Sequence, residues 1–269
     1  MEKNIRKPNI LFLLTDDQGA WAMHCAGNED VQTPNLDRLA AEGIRFENFF
    51  CASPVCSPAR ASILTGTIPS SHGVQDWLCG GNLSADLEEI QGHPGYERET
   101  VPFQYTSHLT AYTDLLQENG YHCALSGKWH LGDSLTPQHG FSEWYTIGRG
   151  GCGYFHPDIV ENGKLVFKDA YVTDLIGTNA GKTLKKLSEG EAPFYLSVHF
   201  TAPHSPWNEE DHPKKYLDLY RDCSFDKEGK KADLLILDRN PCKVAIEEIR
   251  QIKIIETIKD GITIYKKDI

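Results

Sequence analysis

Residues 9–19 read NILFLLTDDQG. An unbroken apolar run, Ile10 to Leu14, is followed by a threonine, the adjacent carboxylates Asp16 and Asp17, and a glycine. Such a run is too short for a core helix and reads as a strand buried on both faces, the kind found in parallel sheets. Its carboxyl end is where α/β sheets usually place a site. The fold class therefore hangs on whether the same strand-then-loop grammar recurs between helices.

It does. TPNLDRLAAEG (33–43) is a marked helix, with Thr33 as N-cap, Pro34 in the first turn, an apolar stripe of Leu36, Leu39 and Ala40, and Gly43 at its end. A short helix fits Pro58 to Leu64, stopped by Gly66. Residues 75–105 are irregular and glycine-rich. SHLTAYTDLLQENG (107–120) carries Leu109, Tyr112, Leu115 and Leu116 on one helical side, and YHCALSG (121–127) follows as a strand running into KWHLGD. GRGGCGYFHPD (148–158) lacks the strand-loop-helix context of a nucleotide-binding fingerprint and reads as a plain loop. YVTDLIGTNAGKTLKKL (171–187) is a weaker helix. APFYLSVHFTAPHSPW (192–207) is a strand entering a proline-bounded loop with His199 and His204. Strands alternating with helices predict an α/β fold with a mainly parallel sheet flanked by helices.

Composition changes near residue 223. The remainder is rich in Lys, Ile, Asp and Glu, with no aromatic residue between Phe225 and Tyr265. Strands are expected at 232–237, 252–258 and 262–265, the last two joined by the hairpin dipeptide Asp260-Gly261. The expected organisation is a domain over 1–224, a linker at 225–231 and a small β-rich tail over 232–269.

The chain has 269 residues and a net charge of -11, which argues against a general nucleic-acid binder. A few local cations can still dominate a cleft for an anionic substrate. No window is long enough for a membrane span, and the run at 10–14 is too short for a signal-peptide core. The expectation is a cytoplasmic protein with no membrane partner. The eight cysteines (25, 51, 56, 79, 123, 152, 223 and 242) form no CxxC pair, so reduced thiols are expected rather than a zinc or redox motif.

One cysteine stands apart. FFCASPVCSPARASILTG (49–66) sets Cys56 at a helix N-terminus, where unpaired N–H groups favour negative charge, with Arg60 one turn on. That suits a nucleophile acting on an anionic ester; a buried cysteine in a tight turn would give the same fragment. Asp16 and Asp17 repel each other unless a cation sits between them, and a hard divalent ion with oxygen ligands is the natural one; an acidic turn is the plainer reading. Lys128 and His130, after another strand, could hold an oxyanion and move a proton, or be a surface lysine beside a packed Trp129. His204 has the same two readings. Taken together, these groups at successive strand ends favour an enzyme.

The segments NILFLLTDDQG, TPNLDRLAAEGIRF, CSPARASILTG, GKWHLG and APHSP, in this order, resemble the type I sulfatases over residues 8–222. The resemblance implies an alkaline-phosphatase-like α/β fold, truncated, and a sulfuric ester hydrolase. It implies that a separate formylglycine-generating or maturase enzyme oxidises Cys56 to formylglycine, reading Pro58 and Arg60. The aldehyde hydrates to a diol; one hydroxyl attacks sulfur and displaces the alcohol, and the other then loses its proton and expels sulfate. Asp16 and Asp17 would ligate one Ca2+ together with the modified Cys56 side chain. Arg60 would stabilise the diol, Lys128 and His204 would bind the sulfate and assist the leaving group, and His130 would orient or deprotonate the diol. The substrate would be a sulfated small molecule or carbohydrate.

The sequence departs from that family in one respect. Two further metal ligands are expected from a later strand ending in Asp, then Asn or His, then Gly. The nearest candidate is LLILDRNP, with Asp238 and Asn240 but no glycine. The stretch from Ala232 to Asp268 resembles instead the C-terminal tail of amidohydrolases. Two alternatives stay open: a phosphonate or phosphate monoester hydrolase of the same superfamily, and an inactive sulfatase remnant acting as a binding protein.

Overall fold

The computed structural model describes residues 7–223, 234–237, 239, 248, 251–259 and 262–266. In chain order the elements are β1 (Ile10–Leu14), α1 (Pro34–Glu42), α2 (Cys56–Thr65), α3 (Pro69–His72), α4 (Tyr112–Glu118), β2 (His122–Gly127), β3 (Phe141–Ile147), β4 (Asp158–Glu161), β5 (Lys164–Phe167), α5 (Val172–Ser188), β6 (Phe194–His199), α6 (Lys214–Tyr220), β7 (Leu234–Leu237), β8 (Ile254–Lys259) and β9 (Ile262–Lys266). Among the described residues no helix is long and apolar enough to cross a membrane.

The chain divides into two compact units. The first comprises residues 1–18 and 46–218. Its sheet has the order β1-β6-β2-β3-β4-β5. The pairs β1/β6, β6/β2 and β2/β3 are parallel, while β3/β4 and β4/β5 are antiparallel. The sheet is thus mainly parallel, as expected, with an antiparallel hairpin at one end. Alternation along the central strands sends side chains to two cores. Ala124, Phe194, Leu196 and Val198 meet Val172, Ile176, Ala180 and Leu187 of α5. Cys123, Leu125 and Tyr195 meet Ala61 and Leu64 of α2, with Leu116 of α4 packed against them. Each fully buried leucine or isoleucine in these layers contributes about 1.5–3 kcal/mol.

Several expectations need correction. β1 is not buried on both faces: Leu11 and Leu13 are 49% and 52% exposed. They share a sheet face with Leu196 and Val198 of β6, but the helix on that face, α5, packs on β2, β3 and β6, and β1 lies at the sheet edge beyond them. The helix expected over 107–120 shrinks to Tyr112–Glu118, because Asp114 turns back to accept the Ala111 N–H at 2.8 Å and caps the helix there. The end of the 148–158 loop opens a hairpin, β4 and β5, about Asn162-Gly163, both at positive φ (53° and 73°). That is the left-handed geometry a two-residue hairpin demands. β3 was not expected at all.

The second unit comprises residues 19–45 and 219–269. Its described part holds α1 and an antiparallel sheet ordered β7-β8-β9. The predicted stripe of α1 is not a core face, since no residue of that helix is buried. Thr33 does not cap it by bonding backbone N–H groups; its hydroxyl donates to Asp37 Oδ1 at 2.9 Å. Strands β8 and β9 fall near the expected positions. The linker 225–231, the turn Asp260-Gly261, Asp238 and Asn240 lie outside the described residues.

Candidate active site

The topology sets the site. β1, β6 and β2 are adjacent and parallel, so their carboxyl ends lie side by side, with Leu14 and Gly127 both registered to His199. The loops leaving these ends carry Asp16 and Asp17, Lys128 and His130, and His204. The amino end of α2 presents Cys56 as its first residue, behind the extended N-cap Val55, which makes no side-chain cap.

Asp16 is the centre. Its carboxylate is buried, and Oδ2 accepts from Arg60 Nη2 at 3.2 Å and from Lys128 Nζ. Burial alone would raise this carboxyl, but the guanidinium and ammonium overcome it and hold the group below its ordinary value. Burial pushes both cations down, against the pull of Asp16 and of the Cys56 sulfur. One carboxylate against two cations leaves a positive excess at the mouth of α2, where the helix terminus adds its own positive end. Arg60 Nη1 donates to the Lys128 carbonyl at 2.8 Å, and its Nε is buried without a partner among the described residues.

His130 is fully buried, with φ at 58°, a left-handed conformation rare for a residue with a side chain and found at functional sites. Its Nε2 lies 3.0 Å from the Leu78 carbonyl. A carbonyl only accepts, so the hydrogen sits on Nε2, and Nδ1 is a buried acceptor with no partner among the described residues. Burial, with the nearby Lys128 cation, pushes this imidazole down to about 3. It is a neutral acceptor, which favours orienting over storing a proton. The loop read as plain from sequence closes on this ring: a Cβ added at Gly150 would lie 2.0 Å from His130 Nε2. The neighbouring Arg149 is tied to buried Asp158 (Nε to Oδ2, 3.2 Å), which also accepts from Tyr96 at 3.0 Å.

His204 is partly buried. Its Nδ1 donates to the Ser205 carbonyl at 2.9 Å, which makes Nε2 the acceptor in the neutral form. Its own carbonyl accepts from Tyr154 at 2.6 Å, so the glycine-rich loop pins the His204 loop as well. Asp17 differs from its neighbour: it is exposed, at φ 58°, and takes no part in the ion cluster. The structure therefore ties Asp16, Arg60 and Lys128 together directly, sets Cys56 and His130 within electrostatic reach of the two cations and His204 within reach of Asp16, and leaves Asp17 outside. Among the described residues no group of three or more His, Cys, Asp or Glu side chains is placed to hold a metal ion. His199, noticed in the sequence only as a strand-end residue, lies within the cluster, with Nδ1 3.3 Å from Arg60 Nη1.

The sulfatase family model matches residues 8–240. This chain belongs to the sulfatase family. The match runs past residue 222, through the expected linker and into the start of the tail. Among curated relatives, an N-acetylglucosamine-6-O-sulfatase of Bacteroides thetaiotaomicron is 34% identical over 208 residues, 77% of this chain and 32% of the relative. A human N-acetylgalactosamine-6-sulfatase is 39% identical over 143 residues, 51% of this chain and 25% of the relative. A solved structure described as a complex with its substrate D-glucosamine-2-N,6-O-disulfate has a TM-score of 0.61 at 30% identity, covering 84% of this chain and 40% of that one. Another, a complex with a neocarrahexaose, has a TM-score of 0.64 at 28% identity, covering 80% and 49%. The fold is the alkaline-phosphatase-like α/β fold of these sulfatases. The chain spans about a third of the length of the curated relatives, 32% and 25% for the two sulfatases named.

Proposed function

We propose that this chain carries the nucleophile and the anion-holding groups of a sulfuric ester hydrolase acting on a sulfated carbohydrate. The observation that carries the reading is the pair of buried cations, Arg60 and Lys128, sharing one carboxylate oxygen of Asp16 at the amino end of the helix that begins with Cys56. A positive excess in a desolvated pocket is suited to a sulfate monoester and to the charge that develops on its oxygens. The sulfated hexosamine named for relatives supports a sugar as the substrate class.

In this reading Cys56 is matured to formylglycine by a separate enzyme, and the hydrated aldehyde supplies the attacking oxygen. Lys128 and Arg60 hold the anionic ester, Arg60 also steadying the modified side chain. His130, neutral and fixed through Leu78, offers Nδ1 as an acceptor that orients the nucleophile. His204 stands by the leaving oxygen. A Ca2+ would be held by Asp16, Asp17 and the modified Cys56. Calcium takes about six to eight oxygen ligands, and Asp16 Oδ2 is already engaged by two cations. The described residues alone therefore do not make a complete calcium site.

The test is production of the chain with and without a formylglycine-generating enzyme, followed by peptide mass across residues 51–60 and assays of released anion. A loss of about 18 Da at Cys56, with sulfate freed from 6-O-sulfated glucosamine, supports the reading. Phosphate release alone from matching phosphate esters would move the chain to the phosphomonoesterase alternative. No release by correctly matured protein would leave the binding-protein alternative.

A further inference from the structure

We propose that His199 is a positioning residue that locks Lys128 and Arg60 from behind through a neutral imidazole carrying its hydrogen on Nδ1. The inference rests on the reading above, in which those two cations hold the anionic ester.

The carboxyl ends of β2 and β6 clasp each other at this point. Lys128 N–H donates to the His199 carbonyl at 2.9 Å. In return His199 Nδ1 lies 3.0 Å from the Lys128 carbonyl. Only a glycine before Lys128 permits the approach: Gly127 sits at φ 117°, and a Cβ there would lie 1.9 Å from the His199 carbonyl oxygen. The Lys128 carbonyl also accepts from Arg60 Nη1 at 2.8 Å. Its two lone pairs are then filled by two donors, one from Arg60 and one from His199.

The tautomer follows from the partners. Two groups face Nδ1 with opposite demands: the Lys128 carbonyl at 3.0 Å only accepts, and Arg60 Nη1 at 3.3 Å only donates. The shorter contact, and a Ser197 hydroxyl whose hydrogen is left for Nε2, put the ring hydrogen on Nδ1. With Nδ1 protonated, Nε2 is an acceptor, and Ser197 Oγ lies 2.7 Å from it. Ser197 Oγ in turn accepts from the Tyr195 hydroxyl at 3.2 Å, and Tyr195 and Tyr112 are bonded through their hydroxyls. The chain from Tyr112 through Tyr195 and Ser197 to His199 and the Lys128 carbonyl thus runs in one donor direction. Every link polarises the next. The second ring proton of an imidazolium would break that direction and put a cation 3.3 Å from Arg60 Nη1. Burial and Arg60 accordingly push His199 down to about 3.

His199 touches no reacting group; it acts through the carbonyl that Lys128 and Arg60 share. His199→Asn keeps an amide N–H close to the place of Nδ1, whereas His199→Gln reaches the Ser197 end instead. On the full chain, nitrogen-15 NMR at neutral pH is expected to show His199 neutral with its hydrogen on Nδ1. Calorimetry with inorganic sulfate is expected to show about a tenfold or greater loss of affinity in His199→Gln, mostly recovered in His199→Asn. The Lys128 Nζ resonance should move in the first variant and not in the second. An Nε2–H tautomer or an imidazolium would overturn the proposal, as would unchanged sulfate affinity in folded His199→Gln or equal losses in both variants. Should the unsubstituted chain bind no sulfate, the hydrolase reading fails by itself. The tautomer and the Lys128 resonance, read without any anion, still decide the role of His199.

Discussion

Arg60 and Asp16 form a buried ion pair, Nη2 to Oδ2 at 3.2 Å, and Lys128 reaches the same oxygen. Removing the carboxylate charge leaves two buried cations facing each other. Asp16→Asn is expected to cost about 3–5 kcal/mol of stability, measured by denaturant unfolding. A cost under about 1 kcal/mol would mean that water reaches the cluster and the pair is screened.

Acid should unfold the protein through its histidines. His130 and His199 take up a proton near 6.5 in the unfolded chain but only near 3 when folded. Between these values the unfolded chain binds more protons, so their contribution is complete above pH 6.5 and is lost as pH falls towards 3. Two such groups give a slope of at most ~2.7 kcal/mol per pH unit. Denaturant midpoints from pH 7 to 4 should show it, and His199→Asn should remove about one proton's worth of slope. An unchanged slope in that variant would contradict the assignment.

Gly150 should tolerate no side chain. Gly150→Ala would drive a methyl group into the His130 ring, at a cost of about 1–3 kcal/mol, and should displace the imidazole resonances. Gly151, where an added Cβ meets nothing within 4 Å, is the control. Equal tolerance at both positions would show that the loop does not close on His130.

Calcium should bind weakly. Two aspartates, one of them exposed and the other engaged by cations, leave most of the shell to water. A dissociation constant tighter than about a micromolar by calorimetry would reveal further ligands. Its loss in Asp238→Ala would locate them.

The exposed leucines of β1 should make the chain self-associate. An edge strand with apolar side chains on its open face is a template for another strand. Light scattering should report oligomers or aggregates, shifted towards monomer by Leu11→Lys with Leu13→Lys. A monodisperse monomer before substitution would show that the edge is covered.

Much of this was legible in the sequence, and unevenly so. Ile10–Leu14, His122–Gly127 and Phe194–His199 are apolar runs and were readable as strands, which put Asp16, Lys128 and His204 at strand ends. β3 was hidden because FSEWYTI carries polar residues whose burial depends on distant partners: Thr146 Oγ1 and Trp144 Nε1 both donate to the Ser134 carbonyl, at 3.2 and 2.8 Å. The Asn162-Gly163 turn is a strong hairpin signal that the glycines before it obscured. The exposure of β1 follows from the reach of α5, which packs on β2, β3 and β6, and no local pattern encodes that. Neither the sharing of Asp16 by Arg60 and Lys128 nor the clasp between Lys128 and His199 has a local signal; both follow from the order β1-β6-β2. Asp238 and Asn240 lie outside the described residues, so their part in a metal shell rests on the calcium experiment.

That β6 is the one partner of β1 among the described strands has a consequence for biogenesis. The β4–β5 hairpin closes over a two-residue turn and needs only its own segment, whereas β1 waits for a partner from the far end of the first unit. Local contacts form early and long loops close late. Pulse-labelled hydrogen exchange on the refolding chain should therefore protect β4 and β5 before β1. A ribosome delivers β1 well before β6, and the nascent strand then trails, without that partner, until β6 has left the exit tunnel. Asp16 stays in water for all that time, and the two cations it will neutralise are already in the growing chain before the sheet can bring them to it.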